Sequence, residues 1–109
     1  MSFYEMKWSS SEKKIARAAF NKAYQREMEE IINHIYEKTA RLKNAKDVWE
    51  LHNYLSERRR AIDQKYDYRY SQLILVFSRL LNENYILEED LIELSEDKLE
   101  IIKKLSSQE

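Results

Sequence analysis

The chain has 109 residues, with 19 Lys and Arg against 20 Asp and Glu, and contains no Gly, Pro or Cys. Without Gly there is no phosphate-cradling loop and no dinucleotide-binding turn; without Cys there is no disulfide, thiolate metal site or thiol nucleophile. A formal net charge of -1 gives no general attraction to nucleic acids or acidic membranes.

Residues 1–8 read as an N-terminal arm carrying Phe3, Tyr4 and Trp8. Ser9 stands three residues before Glu12, the capping-box spacing that satisfies two orphan backbone donors at once. Apolar residues then recur mostly in steps of three, four and one, from Ile15 through Ala19, Ala23, Ile31 and Ile35 to Leu42. No breaker intervenes before Asn44, so the first helix is predicted over about 11–43. Asn44 caps a second helix, with Asp47 near its positive end and an apolar stripe of Val48, Leu51, Leu55, Ile62 and Tyr66. The run from Lys65 to Tyr70 leads into Leu73, Ile74, Val76, Phe77, Leu80 and Leu81; this segment either continues the second helix or follows a kink near 67–71. Asn82-Glu83-Asn84 is a stop, because Asn tolerates the left-handed conformation where Gly is absent. A short helix follows over about 87–94. Ser95 caps a last one reaching Leu105, with Glu96 and Asp97 early and Lys103 and Lys104 late, matching the helix dipole.

The fold class is therefore all-α, and residues 9–109 form a single helical domain: a stalk over about 9–66 and a head over about 67–105. A helix of ~33 residues is ~50 Å long, whereas a compact chain of this size has a radius of gyration of only ~13 Å. The first helix overhangs any globule the chain can build alone, and its apolar stripe continues over most of that length. An elongated homodimer is expected, an antiparallel helical stalk packed on its copy through Val48, Trp49, Leu51, Leu55 and Ile62.

At about 100° per residue, Trp49, His52, Asn53, Ser56, Arg59, Arg60 and Asp63 fall on one flank of the second helix, beside that stripe. Trp supplies contact area at low entropy cost and Arg supplies planar hydrogen bonding, the composition of a protein-binding hot spot. The same residues also fit a solvated helix face with Trp49 tucked into a dimer core, and both readings stand on residue types alone.

Other chemistry has less behind it. Glu30 and His34 share a face with Glu37 near, but neither His has Glu three residues before it, as a di-iron bundle requires. No metal or cofactor is expected. Arg26, Arg41 and Lys65 could line an anionic-substrate pocket, yet nothing in the spacing makes them converge, so an enzyme is not expected. Arg58-Arg59-Arg60 and Lys13-Lys14 have acidic residues interleaved nearby, and nucleic-acid binding is not expected. The longest apolar run, Leu73 to Phe77, falls far short of the ~20 residues that span a bilayer, and the N-terminus shows no secretory pattern.

Three blocks carry a resemblance. Ala19-Phe20-Asn21-Lys22-Ala23-Tyr24-Gln25-Arg26-Glu27, then Trp49-Glu50-Leu51-His52-Asn53-Tyr54-Leu55-Ser56, then Ile62-Asp63-Gln64-Lys65-Tyr66-Asp67-Tyr68-Arg69 resemble the fluorescence recovery proteins of cyanobacteria. The likeness runs roughly from Trp8 to Leu105, through Val76-Phe77, Leu80-Leu81 and Asp97-Lys98. It implies an all-helical, dimeric, non-enzymatic regulator of photoprotection. Such a protein binds the photoactivated orange carotenoid protein, mainly through that partner's C-terminal domain, and accelerates its red-to-orange reversion. It also helps the partner leave the phycobilisome, so that antenna fluorescence recovers. The resemblance further implies a cytoplasmic location in contact with phycobilisomes at the thylakoid surface. By the same resemblance Trp49, His52 and Arg59 fall on positions implicated in activity, and Val48 on an apolar seam position. Asn53 stands where the family often has Asp. Leu75 stands where it often has Phe, with Phe77 two residues on, and these two form a second candidate contact in the head. The alternative is a helical dimeric adaptor serving another protein partner.

Overall fold

The computed structural model describes residues 2–108. Met1 and Glu109, the outer ends of the expected arm and domain, lie outside the described residues. Among those described, the chain forms α1 (Ser10–Ala40), α2 (Ala45–Lys65), α3 (Leu73–Asn82) and α4 (Glu96–Ser107), with 3-10 turns at Phe3–Glu5 and Glu88–Leu91 and no strand. The all-α expectation holds.

α1 begins on the capping box that the spacing predicted. Ser9 Oγ accepts the Glu12 N–H at 3.1 Å, and Glu12 Oε1 accepts the Ser9 N–H at 3.1 Å. Ser9→Ala is expected to cost ~1 kcal/mol, read as a lower thermal unfolding midpoint. The helix stops at Ala40, three residues short of the expected 43. Asn44 must be extended (φ -148°, ψ 176°) for its side chain to accept the Asp47 N–H at 3.1 Å, and Asp47 in turn accepts the Lys43 N–H at 2.9 Å. That cap consumes the residues that would have continued α1.

Of the two readings for residues 65–73, the break is the one observed. α2 ends at Lys65, Tyr66 leaves the helical region (φ -89°, ψ 76°), and helix resumes only at Leu73. No Pro or Gly causes this; the side chains of Lys65 and Tyr66 turn together towards Glu27 of α1, at 2.9 and 2.8 Å. α3 ends as the Asn pair predicted. Asn84 is left-handed (φ 67°), and the Tyr85 N–H reaches back to the Leu80 carbonyl at 2.9 Å, the longer bond of a Schellman closure. The helix expected over 87–94 is only the turn Glu88–Leu91. Asp90 is engaged there by the Leu87 N–H at 3.0 Å and by Arg26 of α1 at 2.6 Å, which holds the turn tight. Ser95 caps α4 as expected, accepting the Lys98 N–H.

α1 presents Ala16, Ala19 and Ala23 to the head, all buried. Their small side chains admit α3 and the turn Glu88–Leu91 close to its axis, and Leu73, Ile74, Phe77, Leu80 and Ile102 fill the core so formed. Trp8 joins them, its ring 6.4 Å from Phe77 and 5.9 Å from Tyr70. Trp8, at the end of residues 1–8, and the first half of α1 thus share one buried cluster with α3 and α4. Trp8 and the alanines carry the apolar area that two short helices cannot bury between themselves.

Beyond the head, α1 and α2 run antiparallel as a hairpin: Glu27 faces Lys65 and Arg58, and His34 Nδ1 meets the Tyr54 hydroxyl at 2.8 Å. The molecule measures 55 × 23 × 22 Å with a radius of gyration of 16.7 Å, against ~13 Å for a compact domain of this length. No helix of the described residues is long and apolar enough to cross a membrane.

Candidate partner-binding face

α2 is an unusual helix for so small a protein. Its one buried residue is Lys65; its apolar stripe is only partly covered by the rest of the chain. Val48 and Leu55 are exposed, and Leu51 and Ile62 are half-buried. Opposite them on α1, Tyr24 and Ile32 are also exposed. Between the helices lies an open groove of about 400 Å³, lined by Tyr24, Met28, Ile31, Leu55 and Ile62 with Arg58 and Arg59 at its edge. Helix-period apolar residues left in water mark a surface built for another protein.

The flank beside this strip is as the helical wheel placed it. Trp49, His52, Asn53, Ser56, Arg59, Arg60 and Asp63 are all exposed. Trp49 is 64% accessible, so within one chain it is not tucked into a core. Its indole meets the His52 imidazole edge to face, centroids 6.2 Å apart and planes at 81°. Two turns on from His52, Arg59 Nε is 3.7 Å from Asp63, both side chains in water. That exposed pair holds little energy, so the guanidinium is free to exchange Asp63 for a partner's carboxylate or carbonyl.

The head candidates separate. Leu75 is 38% exposed, whereas Phe77 is fully buried against Trp8. Two residues on a helix are about 200° apart, so one of the pair must face inward. Phe77, expected as a partner contact, is core, and only Leu75 remains on the surface.

Glu30 and His34 do not approach a shared metal position. Glu30 accepts from Arg58 at 3.3 Å and from the Tyr85 hydroxyl, while His34 is bonded to Tyr54. Arg26, Arg41 and Lys65 do not converge either. Arg26 is held by Asp90, Lys65 by Glu27 and Glu83, and Arg41 caps α1 at the far end of the hairpin.

What sequence reasoning missed is an ionic cluster where stalk meets head. Lys65 Nζ lies 2.7 Å from Glu27 Oε1 and 2.9 Å from its Oε2 on α1, and donates to Glu83 at the end of α3 (2.6 Å). Arg58 adds a bond to Glu27 at 3.1 Å, and the Tyr66 hydroxyl another at 2.8 Å. Glu27 interrupts the alanine face of α1, and an acid in an otherwise small, apolar row was the available signal. The Tyr85 hydroxyl pulls the Glu30 carboxyl below its ordinary value of 4.5, with Arg58 helping against burial. At Glu83 burial pushes upward, but hydrogen bonds from Lys65 and Arg79 outweigh it and the net shift is down. Burial, and then the bond to Glu30, push Tyr85 up to about 12. Carboxyls lowered in the folded chain stabilise it above their ordinary value, and that stability is lost as pH falls through the lowered folded values. Thermal midpoints are therefore expected to hold from neutral pH to about pH 4.5 and then to drop steadily as the pH falls further.

The comparisons with known proteins agree with this architecture. The family model for the photoprotection regulator fluorescence recovery protein matches residues 8–106. The fluorescence recovery protein of Synechocystis sp. is 40% identical over 102 residues, covering 94% of each chain. The solved structure of the Fremyella diplosiphon fluorescence recovery protein superposes with a TM-score of 0.89 at 40% identity, covering 93% of this chain and 99% of the other. That of the Synechocystis sp. PCC 6803 protein gives the same TM-score, identity and coverage. With its helices and its extent both matching, this chain belongs to the fluorescence recovery protein family of photoprotection regulators.

Proposed function

We propose that this chain is a non-enzymatic regulator that binds the photoactivated orange carotenoid protein and speeds its return from the red to the orange form. In doing so it helps release that partner from the phycobilisome. Family membership supports the reading, and one structural observation carries it to particular residues: Trp49, His52 and Arg59 stand exposed together on a stiff helix, beside an uncovered apolar strip. A protein accelerates a relaxation by binding the route back, or its closed product, better than the open starting state. That takes a rigid surface and neither cofactor nor covalent step. Asn53 adds a neutral amide to the face, and Leu75 a second apolar contact on the head.

The stalk strip calls for a second copy of the chain. Val48, Leu51, Leu55 and Ile62 with Trp49 at the rim form the seam of an elongated homodimer, in which α2 gains the apolar burial it lacks alone. Leu55→Asp places a charge in that seam. It is expected to yield a monomer at micromolar concentration, read by sedimentation or light scattering, and a dimer unaffected by Leu55→Asp would remove the seam.

The decisive experiment follows the red-to-orange recovery of a light-activated orange carotenoid protein with and without the chain. Faster recovery supports the reading. Unchanged recovery, with no complex formed, would leave the adaptor for another protein partner as the better account.

A further inference from the structure

The buried cluster at the stalk–head junction does more than hold charge. α2 has no fully buried apolar residue, so hydrophobic packing does not fix how it lies on the remainder of the chain. The head is joined to the first half of α1 by an apolar core and forms one packed body with it. The Trp49 face rides on α2, and Leu75 rides on the head. Arg58 and Tyr66 reach Glu27 from partly exposed positions, and the fully enclosed link between these two bodies is Lys65. Its ammonium spans Glu27 at 2.7 Å and Glu83 at 2.6 Å, one carboxylate from α1 and one from the end of α3. Apolar contacts tolerate sliding; two short charge-assisted hydrogen bonds from one nitrogen do not. A buried ion cluster of this kind gives little net stability over an apolar one, and its best-attested use is to specify a single arrangement.

We propose that Lys65 is a positioning residue for the regulator's activity: through Glu27 and Glu83 it sets α2 at one angle to the head, so that the Trp49 face and Leu75 meet the partner together. The inference rests on the proposed function and assigns a role to a residue that touches no partner. Two contacts on one rigid body raise each other's effective concentration, and a loose joint forfeits that gain.

The test uses the absence of native Cys, which permits clean spin labelling at Glu57→Cys on α2 and Glu100→Cys on α4, both exposed. Labelled chains are diluted with unlabelled ones so that only distances within a chain are read. Lys65→Met keeps the apolar stem and removes the charge, while Glu27 retains Arg58 and Tyr66. Glu83→Gln is the milder variant, on a partly exposed side chain, should Lys65→Met fail to fold. The unmodified chain is expected to give one narrow distance distribution and both variants a broad one. The concentration for half-maximal recovery should rise about tenfold in Lys65→Met, with the rate at saturation changed less. Leu75→Glu, costly in the unmodified chain, should add less than about twofold on the Lys65→Met background, because the two contacts no longer act together. A distribution that stays narrow in both variants overturns the proposal, as does a broadened one with unchanged recovery. If the unmodified chain does not accelerate recovery, the functional reading fails and takes this inference with it, and the distances still report whether Lys65 fixes α2.

Discussion

Trp49→Ala combined with Arg59→Leu is expected to slow the chain's acceleration of orange carotenoid protein recovery by on the order of 100-fold, with helix content unchanged. Each residue alone should cost about 10- to 30-fold, the range for aromatic and Arg anchors of an interface. The reasoning is local. Trp49 is 64% accessible and leans only on His52, so truncating it removes little from the fold of one chain. Arg59 has only an exposed partner, Asp63, at 3.7 Å, and surface pairs of that kind contribute ~0–1 kcal/mol. The lost energy therefore appears in binding. Arg59→Lys should recover only a small part of the activity, since a point charge does not reproduce a planar fork of donors. Circular dichroism with recovery kinetics checks both halves, and unchanged kinetics in the double variant would remove this face from the mechanism.

Glu27→Leu is expected to be the most damaging single change to stability, about 3–5 kcal/mol. Glu27 is buried and accepts from Lys65, Arg58 and Tyr66. Removing it leaves the buried Lys65 ammonium with one carboxylate in place of two, and takes from Arg58 and the Tyr66 hydroxyl the acceptor they share, so that charge and donors in the interior lose their partners. Replacing Lys65 is milder, because Glu27 then keeps two donors. The midpoint of thermal unfolding should fall by on the order of 15 °C. Glu50→Gln, at an exposed pair with Lys46, should move it hardly at all. A mild Glu27→Leu would mean that the cluster does not hold the junction.

Much of this was readable from the chain. The capping box at Ser9, the Asn44 cap and the Ser95 cap each depend on residues within a few positions, and all three stand where their spacing put them. The flank of α2 was equally legible, because a helical wheel needs only periodicity. What escaped depends on distant partners. Trp8 looked like part of an arm because nothing near it announces Phe77 and Tyr70. The break after Lys65 is set by Glu27, 38 residues away, and not by a breaker residue. The resemblance groups Phe77 with Leu75, although positions two apart on a helix point about 200° apart and cannot share a face.

Glu12 has a reach beyond its own helix. Besides closing the first turn of α1, its Oε2 accepts the Ser95 N–H at 3.0 Å, and both oxygens lie 3.2 Å from the buried Lys98 ammonium. One carboxylate thus starts the first long helix and the last short one, 83 residues apart along the chain. On the ribosome, the start of α1 waits until residues 95–98 have emerged before this knot can tie. Trimming α4 from the finished protein should accordingly unravel the beginning of the molecule as well as its end, and amide exchange at residues 9–13 is where that loosening would register first.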